Sequence, residues 1–157
     1  MKFTDFISSA LIGAVASCRS MTPMAAIAAA RSAGRDTSGS LLLLDRPLFR
    51  YGALAMGVGE LFGDKMKSAP DRTVLLGLSA RVASAGIAGA ALAPAGEEKT
   101  GAAIAIAAAV PLAYITLAAR KKAMAEIGQT KSGLIEDAFI VAAGAAVVFF
   151  ATRPQRF

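Results

Sequence analysis

The chain has 157 residues, 55% of them hydrophobic, with 17 Lys and Arg against 11 Asp and Glu. Only 18% of residues are charged and mean hydropathy is +0.56, where typical soluble domains carry about 25% charge, so the composition is that of a membrane protein. The lack of His excludes the commonest acid/base group and metal ligand at neutral pH, and the single Cys18 excludes an internal disulfide.

The first apolar segment, about 6–30, is interrupted by Cys18-Arg19-Ser20-Met21-Thr22-Pro23. A charge at mid-membrane is costly and needs a partner or a water-filled cavity. A helix broken there needs protein or a cavity over its freed backbone. The segment is therefore expected to break at Arg19–Pro23, with Thr22 capping a second half-helix and Pro23 as its first residue. Free N–H groups and a positive dipole end beside Arg19 suit an anionic group. Two other outcomes stay open. Arg19 can pair with an acidic residue of another helix, or the segment can fold as a re-entrant hairpin that carries Arg19 to the surface. Lys2 and the apolar stretch ending at Cys18 also resemble a lipoprotein signal, but Asp5 and a lone Lys2 make a poor positive region.

Ser32 to Ser40 is rich in Gly and Ser and reads as a flexible link. Leu41 to Leu44 is too short to span. The second segment is 48–63, with Pro47 at its start, where a helix tolerates proline best. It carries Glu60, four residues before Asp64, so both carboxylates share a face. With Lys65 and Arg72 in the charged turn that follows, they can hold a cation, relay protons or coordinate a divalent metal. The plainer alternative is that Asp64 and Lys65 are interfacial and Glu60 neutralises Arg19 or Arg81.

The third segment is 73–93. Gly77, Arg81, Ser84 and Ala88 follow helical spacing along one face, so Arg81 should point inward among small residues. The short acidic link 94–99 leads to the fourth segment, 101–119, where Pro111 predicts a kink. Arg120 to Lys131 is basic and reads as a turn with a brief surface helix. In the fifth segment, 133–151, Gly133, Asp137 and Gly144 share a face, which turns Asp137 into the bundle and Glu136 about 100° away. An interfacial acidic pair is the alternative.

These segments make one all-α, polytopic membrane domain, 1–157, of about five segments. Its Ala- and Gly-rich surfaces suit close helix packing. If all five segments span, eight Lys and Arg lie on one side and seven on the other, with Arg19 and Arg81 inside. That balance is too even to orient the chain by the positive-inside rule. Basic residues flanking apolar spans point to anionic lipid headgroups as partners and not to nucleic acid.

Cys18 to Pro23 resembles a GLRSMTP element, and 60–73, with Glu60, Asp64, Lys65 and Arg72, resembles an "E, two or three residues, DK, P, RT" element. Arg81 among small residues and Glu136-Asp137 opening the last helix match later positions. The chain thus resembles the bacterial membrane proteins catalogued as domain of unknown function 4126. The resemblance implies a multi-pass protein of the bacterial inner membrane and brings no activity, substrate, metal or cofactor. It adds weight to Arg19, Glu60, Asp64, Lys65, Arg72, Arg81, Glu136 and Asp137. Three functions compete. The first is a transporter or channel subunit, acting as a homo-oligomer, whose charged site binds an anion or relays ions. The second is a metal-dependent enzyme on phospholipid headgroups, and the third an assembly subunit of a membrane complex.

Overall fold

The computed structural model describes residues 1–39, 41–63 and 74–154. Asp64, Lys65 and Arg72 lie outside them. The described residues form an all-α bundle of six helices: α1 (Phe3–Cys18), α2 (Thr22–Ser32), α3 (Pro47–Gly63), α4 (Leu75–Leu92), α5 (Glu98–Ile127) and α6 (Gln129–Ala151). Helices α4, α5 and α6 are long and apolar enough to cross a membrane. The chain is a helical membrane protein.

The sixth helix arises from the first segment, which is two helices and not one kinked span. Their contacts show a re-entrant hairpin. The Met1 ammonium pairs with Glu97, between α4 and α5. Just after α2, Arg35–Asp36 (β1) pairs antiparallel with Arg153–Pro154 (β2), just after α6. The Gly39 N–H donates to Ala91 O at 3.1 Å, at the end of α4. The start of α1 and the end of α2 therefore lie at the same end of the bundle.

Small residues let the hairpin enter. Helix α1 packs chiefly on α5 and α4. A Cβ at Gly13 would lie 2.2 Å from Ala105 O, and one at Gly89 2.4 Å from Gly101 O. Ile12, Ala16, Ala85, Ala88, Ala105 and Ala109 fill this contact and are essentially inaccessible. In lipid, where helices gain little from hydrophobic association, such close approach is a main source of cohesion.

The connections differ from expectation in two places. The link after α2 is tied down. Arg31 pairs with Asp45 and donates from Nη2 to Thr37 Oγ1 at 2.6 Å, while Arg50 Nε donates to Leu44 O at 3.0 Å. The basic stretch 120–131 is not a turn. Helix α5 runs unbroken through Pro111 to Ile127, and Gly128 alone, at φ +85°, separates it from α6. Arg, Lys, Ala, Met and Glu are good helix formers, so nothing stops α5 before a residue that adopts the left-handed conformation easily.

Candidate functional site

The hairpin tip lies inside the bundle. Arg81 is six residues into α4 and Asp137 eight into α6, which places them about 9 and 12 Å along those helices. Helix α1 ends at Cys18, Arg19 is extended at φ −136° and ψ 115°, and α2 starts at Thr22. A break here leaves C=O groups at the end of α1 and N–H groups at the start of α2 without helical partners.

Each exposed helix end receives a side chain of the charge its dipole favours. At the end of α1, Arg81 Nε donates to Ser17 O at 3.1 Å, and its Nη1 donates to Gly77 O at 2.8 Å. At the start of α2, one Glu60 carboxylate oxygen accepts from Ser20 N at 2.7 Å and from Ser20 Oγ at 2.6 Å. Its other oxygen accepts from Met21 N at 2.8 Å. Glu60 thus takes the position of an N-capping anion, supplied by α3 from 40 residues away. The Thr22 cap expected from sequence is not formed. Met21 is the N-cap residue, no capping side-chain bond comes from within the segment, and Thr22 is a buried first-turn residue followed by Pro23. The helix starts one residue earlier than a Thr22 cap requires, and the Glu60 carboxylate takes the Met21 N–H at that start with a charge-assisted bond.

Arg19 points elsewhere. Its guanidinium, 1% exposed, pairs with Asp137 on α6. One of the two arginines therefore does pair with one of the two inward carboxylates, as the cost of a buried charge requires. Glu60 is not the partner of either arginine among the described contacts. Asp137 sits on the buried face with Gly133 and Gly144, and Arg81 on the buried face with Ser84 and Ala88, as their spacing requires. Glu136, turned away from Asp137, pairs with Arg120 on α5, which the continuation of α5 past Ala119 brings alongside it.

Thus Arg19, Glu60, Arg81 and Asp137 gather at one break, with Ser20 and Met21 contributing backbone donors that residue chemistry alone does not mark. Arg120 and Glu136 form a neighbouring pair. Beside them, Cys18, Ser132 and Ile140 line a cavity of about 320 Å³ between α5 and α6. Among the described residues no group of three His, Cys, Asp or Glu side chains is placed to hold a metal ion. The arrangement gathers N–H and O–H donors at a helix start around a carboxylate, a donor set suited to holding an anion. No family model, curated protein or solved structure matches the chain.

Proposed function

We infer that the protein is a transporter or channel subunit that moves a small anion and couples it to a proton through Glu60. The observation that carries this is the Glu60 carboxylate on the N–H groups of Ser20 and Met21 at the start of α2. A broken helix inside a bundle, with its N-terminal end turned to a negative group, is a common way to build a membrane ion site. Here the negative group belongs to the chain. An external anion enters by taking the place of Glu60 on these donors and leaves as Glu60 returns to them. Arg81 and the Arg19–Asp137 pair hold the other groups of the break in place.

A bundle of this size encloses little space, so a continuous path calls for a homo-oligomer. The resemblance to bacterial inner-membrane proteins supports that location. The test is flux in proteoliposomes of purified protein, loaded with chloride or nitrate under a pH gradient. Anion movement should drive proton movement, and Glu60→Gln should abolish the coupling. Absence of flux for chloride, nitrate, phosphate and acetate would dismiss the proposal.

A further inference from the structure

A groove of about 430 Å³ runs along the outside of the hairpin between α2, α3 and α6. Its floor is alanine, including Ala29 on α2 and Ala145 on α6, both exposed. Its walls are longer side chains such as Val58 on α3 and Phe149 on α6. It follows α2 from Thr22 to Ala33, about 17 Å of helix rise, close to the roughly 15 Å hydrocarbon depth of one bilayer leaflet.

Among the described residues one charged side chain lines it. Arg35 stands at the mouth, at the end of the bundle where the hairpin enters and leaves. Its Nε and Nη2 donate to Thr152 Oγ1 and O at 2.8 Å and to Phe149 O at 2.7 Å. Its guanidinium carbon lies 4.2 Å from the centre of the Phe149 ring. These contacts hold the cation in place at the boundary between an apolar slot and the polar surface, and among the described residues no acidic side chain lines the slot.

We propose that this groove is a binding site for an anionic phospholipid, one acyl chain lying along α2 and the phosphate resting on Arg35. A helix of a second copy fits less well. A helix laid along the slot would set an apolar face against the Arg35 cation at its mouth. The lipid fills the seam between α2 and the helices behind it, so it steadies the returning arm of the hairpin. The inference is independent of transport by Glu60.

Native mass spectrometry of the full chain, delipidated and titrated with phosphatidylglycerol or phosphatidylcholine, tests it. Phosphatidylglycerol should be retained about fivefold more tightly, the worth of one arginine near an anionic headgroup. Arg35→Gln should erase that preference and Arg35→Lys should keep much of it. Ala29→Phe, at an exposed floor position, should weaken both lipids. Because Arg35 also caps α6, Ala29→Phe carries the test if Arg35→Gln fails to fold. Equal retention of the two lipids by the unaltered protein would overturn the proposal. So would binding indifferent to Ala29→Phe, or a dimer that Ala29→Phe splits.

Discussion

At the residue scale, the Arg19–Asp137 pair shows what a buried charge demands. Both side chains sit deep in the bundle, where an ion without its counterion costs several kcal/mol. Arg19→Ala is expected to destabilise the detergent-solubilised protein by about 3–5 kcal/mol, because it breaks a buried ion pair from one side. Replacing both, as Arg19→Met with Asp137→Leu, should recover most of the loss, since an apolar pair of similar volume needs no compensation. Thermal unfolding of the three proteins checks this; a double variant as weak as the single one would mean that the pair is not isolated from other charges. Reversing Glu60 and Arg81 together offers no comparable rescue, because each faces a different helix end. The exchange would put a cation on the Ser20 and Met21 N–H groups at the entry to α2 and an anion on a carbonyl of α1, both against the dipoles.

At the scale of elements, glycine positions divide by what stands opposite them. Gly13 faces the backbone of Ala105 at a distance no Cβ tolerates, whereas nothing lies within 4 Å of a Cβ at Gly59. Gly13→Ala should therefore push α1 off α5 and cost about 1–3 kcal/mol. Gly59→Ala, on an exposed part of α3, should stabilise by up to about 1 kcal/mol through helix propensity. Unfolding curves of the two variants should move in opposite directions, and a shared direction would contradict the packing described for α1 and α5. Helix α5 supplies the other lesson at this scale. Its basic tail continues the helix because charge alone does not end a helix; a residue able to take positive φ does.

For the whole molecule, the re-entrant hairpin sets which groups share a side. Lys2 and Ser38 lie with the ends of α4 and α6, around a cavity of about 360 Å³ that also includes Asp36 and Arg153. Lys122 lies near the far end of α5. In a Cys18→Ser background, cysteines placed at Lys2 and Ser38 should react with an impermeant maleimide from the same side of sealed vesicles. A cysteine at Lys122 should react from the other. Labelling of Lys2→Cys and Ser38→Cys from opposite sides would mean that the first segment crosses the membrane and that the hairpin is wrong.

The sequence by itself determined the all-α class, the positions of the apolar segments and the break at Arg19–Pro23. It also identified Arg81 and Asp137 as inward-facing. These follow from local quantities: run length, helical spacing, and the cost of proline and charge in lipid. Only the tertiary structure decided that the chain turns back at the break, because a kinked span and a hairpin have the same composition and periodicity. It also decided which charge meets which helix end. Glu60 lies 40 residues from Ser20, and Asp137 lies 118 from Arg19. No local pattern ranks one acidic partner over another at such separations. The choice is made by where α3, α4 and α6 stand around the tip, and that depends on small residues such as Gly13 and Gly89 letting the helices close on it.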